Sequence, residues 1–154
     1  MIVYLDMDGV IADFFRKFAE TYKVDHWKSI QDKERALINL QNTDWFMHLE
    51  TFQEDSTNLS KKIVKFVKKT SRRHGHDWGI CSSPLRNDHN NSAFLKRLWL
   101  LKHGFMPTVE NLIITSNKDK YAVNKLDGRP NLLIDDLSLI HISEPTRRRG
   151  ISYA

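Results

Sequence analysis

The sequence predicts an α/β fold built on a mostly parallel sheet, and two observations carry that prediction. Short apolar runs rich in β-formers alternate with longer segments of helical period, the order that parallel βαβ units produce. All four runs also end in polar clusters: Asp6/Asp8, Ser82/Ser83, Ser116-Asn117-Lys118 and Asp135/Asp136. In open α/β sheets ligands sit beyond the carboxyl ends of the strands, so the same coincidence predicts a site.

Taken in order, residues 2–5 form the first strand, Ile-Val-Tyr-Leu, which exits into Asp6-Met7-Asp8-Gly9. Residues 11–22 place Ile11, Phe14, Phe15 and Phe18 at a helical period. Residues 25–52 read as short helices rich in Trp and Phe, without a strand, and a small helical cap is expected over about residues 24–55. A basic helix follows over 56–73, with Gly75 placed to end it. Residues 78–81 are the second strand, opening into Ser82-Ser83-Pro84. Residues 92–103 are helical and closed by Gly104. Residues 112–115 and 132–134 are the third and fourth strands. Such a sheet is expected to be covered on both faces.

With 154 residues and 40% hydrophobic content, the chain is about one domain and can bury a genuine core. No run approaches the ~18–20 apolar residues of a membrane span. The first residues read as a strand rather than a signal peptide. The single Cys81 excludes an internal disulfide and fits a reducing cytoplasm. The formal charge of +5 raises the question of nucleic acid. The cations concerned are Lys61, Lys62, Lys65, Lys68, Lys69, Arg72 and Arg73, but Ile63, Val64, Phe66 and Val67 are interleaved at helical spacing. That pattern is an amphipathic helix with a solvated basic face, so nucleic acid is not the expected partner. The histidines show no metal-ligand spacing.

Asp6 and Asp8 stand two apart, so in extended chain both face one side and Met7 the other. Two adjacent carboxylates need a proton, a cation or a basic residue between them. Asp135 and Asp136 arriving from another strand make an oxygen-rich site suited to Mg²⁺. Gly9 permits a turn and close backbone approach.

These residues carry a resemblance. Asp6-Met7-Asp8-Gly9-Val10 after an apolar strand resembles the first motif of the haloacid-dehalogenase-like (HAD) superfamily. Ile80-Cys81-Ser82-Ser83-Pro84 resembles the second, Lys118 the third, and Leu132-Leu133-Ile134-Asp135-Asp136 the fourth. The order is the superfamily's, and the match covers residues 2–136. Ala12-Asp13-Phe14, the run Cys-Ser-Ser-Pro-Leu-Arg and the doubled Asp look most like the 5′(3′)-deoxyribonucleotidases and their phage-type relatives.

The resemblance implies a Rossmann-like core with a small helical cap, hydrolysing phosphomonoesters with Mg²⁺, preferably (deoxy)nucleoside 5′-monophosphates. It implies that Asp6 attacks phosphorus and that Asp8 serves as general acid, then base. Mg²⁺ would be held by the side chain of Asp6, the backbone carbonyl of Asp8 and the side chain of Asp136, with Asp135 beside them. Ser82, where close relatives carry Thr, would donate to the phosphoryl oxygens, with Ser83 next to it. Lys118 would balance their charge, with Lys120 the alternative in that loop. Phe14 matches an aromatic that flanks the base, and Arg86 falls where relatives carry a Lys near the phosphate. Trp27, Trp45 and Phe46 offer flat apolar faces to a base, although aromatics in a small cap also serve as its core. The expected setting is the cytoplasm of a bacterial or phage-infected cell, and a homodimer is compatible with this reading. The rival readings are a phosphatase of another small phosphomonoester or of a nucleic-acid end, and a non-catalytic binding module. Such a module has no need of the leaving-group acid Asp8.

Residues 137–154 depart from the pattern. The stretch from Leu137 through Arg147 resembles the conceptual translation of a transposase-type sequencing-library adapter. Ile151-Ser152-Tyr153-Ala154 matches the constant segment that follows its variable index. On this reading residues 1–136 are the HAD-like domain, truncated at its C-terminus, and the chain as it stands need not be active. Arg147, Arg148 and Arg149 against Glu144 give the tail +2, leaving +3 for the preceding residues.

Overall fold

In the computed structural model, residues 1–136 are described; the adapter-like stretch 137–154 lies outside them. Four strands form one parallel sheet: β1 (Ile2–Leu5), β4 (Asp77–Ser82), β5 (Leu112–Ile114) and β6 (Leu132–Ile134). Their spatial order is β5-β4-β1-β6. β1 is central, pairing Val3 with Trp78 on one side and with Leu132 on the other. All four therefore point the same way, and the α/β, Rossmann-like architecture predicted from the sequence is the one observed.

The helices are α1 (Phe14–Thr21), α2 (Lys33–Ile38), α3 (Leu59–Arg73) and α4 (His89–His103). Strand alternation splits the sheet side chains between two clusters. Val3, Leu5, Trp78, Ile80 and Leu112 meet Val64 and Val67 of α3 and Leu95, Trp99 and Leu100 of α4. Tyr4, Cys81 and Leu133 point to the other face, where Ile2, Ile113, Tyr121 and Ala122 pack against them. The expected cover on both faces is thus uneven. Two long helices lie on one face, and the other is covered, among the described residues, by the loop carrying Tyr121 and Ala122.

The basic helix begins later than residue 56. Asp55 and Ser56 both have positive φ, 44° and 65°, and join β2 (Gln53–Glu54) to β3 (Thr57–Asn58) as an antiparallel hairpin. Two consecutive positive φ values give a primed hairpin turn, usually signalled by Asn-Gly. Asp-Ser does not advertise it. Asn58 then caps α3 by accepting from the Lys61 N–H at 2.9 Å. All seven cations of that helix are exposed as expected. Phe66, read with the apolar side, is 68% exposed.

The cap region contains 3₁₀ turns Trp27–Ser29 and Trp45–His48 around α2, matching the expected short helices. It shares the main core rather than forming its own. Ile30, Ala36, Leu40, Trp45, Phe46 and Leu49 are buried in the same cluster as the sheet and α4. Hydrogen bonds to residues 86–99 help to fasten it there. Trp99 Nε1 donates to the Leu49 carbonyl at 2.8 Å, and Gln41 donates to the Arg86 carbonyl at 2.9 Å. The Asn42 N–H reaches Asp88 Oδ2 at 3.2 Å and Asn91 reaches the Thr43 carbonyl at 3.1 Å.

Candidate active site

The strand ends converge as the sequence implied. Leaving β1, the Asp6 N–H donates to the Ile134 carbonyl at 3.0 Å, which holds Asp6 beside the end of β6. Beyond it the Met7 carbonyl accepts from the N–H groups of Val10, Ile11 and Ala12 at 2.9–3.1 Å. This tight loop needs Gly9 at φ 80°. It also needs Gly9 to lack a side chain, since a Cβ there would stand 2.6 Å from Asp136 Oδ2.

Asp6, Asp135 and Asp136 bring one carboxylate oxygen each within 4.8 Å of one another. Lys118 Nζ lies 2.9 Å from Asp6 Oδ2 and 3.3 Å from Asp135 Oδ2; Lys120, its sequence alternative, is exposed. Burial pulls the Lys118 pKa down, but Asp6 and Asp135 outweigh it and hold the ammonium above its usual range. One cation does not satisfy three carboxylates. Burial raises the Asp6 pKa despite Lys118, and Asp8 and Asp135 add to the rise. Asp136 is pushed up to about 7 by burial, a hydrogen bond that its protonated form donates to Asp135, and the charges of Asp135 and Asp6. A cluster of hard oxygen donors that is short of positive charge fits a divalent cation such as Mg²⁺.

Asp8 faces a different partner. Its Oδ2 is 2.8 Å from Lys96 Nζ, which also donates to Ser82 Oγ at 3.1 Å and to the Ser83 carbonyl at 2.6 Å. Ser82 is fully buried. Because its oxygen accepts from Lys96, its own proton is left available to donate. Among the described residues, Asp8 Oδ1 is buried without a hydrogen-bond partner.

A protein of Bordetella bronchiseptica, provisionally named a 5′(3′)-deoxyribonucleotidase, is 30% identical over 165 residues, covering 99% of this chain and 83% of its own length. The chain belongs to the 5′(3′)-deoxyribonucleotidase family. The mitochondrial 5′(3′)-deoxyribonucleotidases of Mus musculus and Homo sapiens are 25% and 26% identical, and the chain spans 65% of each. No protein-family model matches the chain. Kinship with the deoxyribonucleotidases supports a phosphatase that acts on nucleotides.

Within this deoxyribonucleotidase-like chain, Asp6, Asp135, Asp136 and Lys118 form one group, and Asp8, Ser82 and Ser83 another around Lys96. The aromatic residues divide differently. Phe14 is half-buried among Phe18, Trp45 and Phe46, with ring centroids 5.4, 5.2 and 6.1 Å away. Trp45 and Phe46 are core, and Trp45 Nε1 is spent on Thr21 Oγ1 at 2.9 Å. Trp27 packs against Phe15 with ring centroids 4.9 Å apart and planes tilted by 34°, and the Phe15 ring edge would lie 3.0 Å from a Cβ on Gly9. Phe15 and Trp27 are therefore the half-buried aromatic pair beside the Gly9 loop, and Phe15 was not singled out from the sequence. Arg86 is exposed, and its carbonyl rather than its guanidinium is engaged.

Lys96 was missed as well. It lies on the buried face of α4 with Ser92, Ala93, Trp99 and Leu100. A lysine at a core position of an amphipathic pattern is the signal that could have found it.

Proposed function

We propose that the chain is a HAD-type phosphomonoesterase, dependent on Mg²⁺, that removes phosphate from (deoxy)nucleoside 5′-monophosphates. The observation that carries the reading is the pairing of two acids with two different lysines, Asp6 with Lys118 and Asp8 with Lys96. Asp6, paired and buried at a strand end, is the nucleophile that takes the phosphoryl group and later yields it to water. Asp8 stands two residues on, hands a proton to the departing nucleoside oxygen, and then takes one from the attacking water. Lys118 and the Ser82 hydroxyl stabilise the charge spread over the phosphoryl oxygens.

Asp6, Asp136 and the Asp8 carbonyl would hold Mg²⁺, with Asp135 adjacent. The ion would supply charge neutralisation at the phosphoryl group. Phe15 and Trp27 offer the base a surface beside the Gly9 loop, with Phe14 packed against the main core and Ser83 and Arg86 as further contacts. The adapter-like tail leads us to take residues 1–136 as the functional domain, with residues 24–55 as its cap. An uninterrupted natural reading frame for 137–154 at the source locus would overturn that assignment.

The reading is tested by phosphate release from a panel of nucleotides, sugar phosphates and glycerol phosphate, with Mg²⁺ and with excess chelator. Both the 154-residue chain and the product of its source locus are assayed. Nucleoside monophosphates should give the highest kcat/KM, and chelator should abolish it. Equal rates on all monoesters would instead favour a general small-molecule phosphatase.

A further inference from the structure

Among the described residues, Lys96 is the largest charged side chain fully enclosed in the interior, with 1% of it exposed. Its helix neighbours Ala93, Trp99 and Leu100 are apolar and buried, so an apolar residue would pack there without the cost of desolvating a charge. Its ammonium has three protons and three acceptors: Asp8 Oδ2, Ser82 Oγ and the Ser83 carbonyl. Those acceptors come from two separate strand exits, after β1 and after β4. The ring of Phe46 lies 5.2 Å from Nζ, closing the remaining side with a cap residue. Lys118 works elsewhere, across Asp6 and Asp135.

We propose that Lys96 is a positioning residue for the reaction, fixing Asp8 relative to Ser82 so that the proton donor and the hydroxyl that binds the phosphoryl oxygens meet the same phosphoryl group. It acts through those two groups, with its own protons fully engaged. The inference rests on the assignment of Asp8 as the leaving-group acid, and it adds a second lysine with a separate duty. Placing a carboxylic acid to within hydrogen-bond reach of a leaving oxygen is a large part of what makes it an effective acid.

The test compares Lys96→Met with the wild-type chain on two substrates, a deoxynucleoside monophosphate and p-nitrophenyl phosphate. The nitrophenolate departs without needing a proton, so in the phosphoryl-transfer step only the nucleotide depends on a well-placed Asp8. Single-turnover release of nucleoside or nitrophenolate isolates that step from the later water attack, which uses Asp8 on both substrates. Lys96→Met should lower the single-turnover rate of nucleoside release on the order of 10²-fold, the scale of a lost general acid. It should affect the nitrophenyl ester far less. The ratio of the two rates is independent of how much of the sample is folded. In an Asp8→Asn background the same substitution should add little on the nucleotide, because it acts through the group already removed.

Equal losses on both substrates, or an undiminished loss in the Asp8→Asn background, would overturn the proposal while leaving the phosphatase reading in place. Lys96→Gln, which keeps a donor, is the second variant and should recover part of the nucleotide rate. If neither variant folds by circular dichroism while the wild type does, Lys96 serves the fold and the proposal fails. A wild-type chain inactive on every nucleotide would remove the phosphatase reading, and this inference with it.

Discussion

Gly9 is shaped around Asp136: a methyl group on Gly9 would sit 2.6 Å from Asp136 Oδ2 and 2.7 Å from its Cγ. The loop after the first strand and the acid after the last are thus fitted to each other, although 127 residues separate them. The backbone adds a second constraint, since φ there is 80°. Gly9→Ala should therefore destabilise the chain by about 1–2 kcal/mol from the left-handed backbone alone. It should also weaken Mg²⁺ binding by displacing Asp136. Thermal unfolding with and without Mg²⁺ checks both; an unchanged Mg²⁺ response would show that Asp136 moves aside freely.

Lys118 bridges Asp6 and Asp135, so Lys118→Met leaves two neighbouring carboxylates without their cation. Loss of a preorganised charge stabiliser typically lowers kcat by ~10²–10³-fold. Steady-state kinetics at saturating nucleotide measures it, and less than a fivefold loss (set against that ~10²-fold scale) would assign the charge to another group.

The folded-state pKa values of Asp6 and Asp136 are both raised, Asp136 to about 7. A raised pKa favours the fold below the ordinary Asp value of about 4. That contribution is lost as pH climbs through the folded value. The metal-free chain should therefore lose stability between about pH 4 and pH 7, moderated because Asp136 keeps contact with solvent. A metal needs ionised carboxylates. The Tm gain from Mg²⁺ should accordingly be larger at about pH 8 than at about pH 5. Differential scanning fluorimetry at both pH values reads this, and equal gains would argue against a site built from these acids.

Trp99 is fully buried and its indole N–H holds the Leu49 carbonyl at 2.8 Å. Trp99→Phe should cost about 1–3 kcal/mol, the penalty for an unsatisfied buried carbonyl plus lost contact area. Urea unfolding would show it as a lower midpoint. Faster proteolysis within residues 24–55 would show that the cap is what loosened.

What the sequence disclosed follows from what local pattern encodes. The four strands were legible because each is a short apolar run closed by polar residues, and the site was legible because those closures fall on one edge of a parallel sheet. Asp6, Asp8, Lys118, Asp135 and Asp136 were named from that arrangement and from the resemblance of their motifs. The Asp55-Ser56 turn was not legible, because positive φ at two non-glycine residues is imposed by the hairpin rather than announced by composition. Lys96 was hidden inside a segment read only as a helix closed by Gly104. The aromatic residues were the least decipherable. Phe14, Phe15, Trp27, Trp45 and Phe46 have similar chemistry, and only packing separates the pair beside Gly9 from those consumed by the core.

The central claim is that Asp6 carries the phosphoryl group. Rapid quenching of the wild-type chain with a nucleoside monophosphate and Mg²⁺, followed by peptide mass spectrometry, tests it most directly. The account predicts an acid-stable, alkali-labile acyl phosphate on the peptide containing Asp6, absent from Asp6→Asn, which should also lack turnover. Phosphate found on another residue, or undiminished turnover in Asp6→Asn, would contradict it.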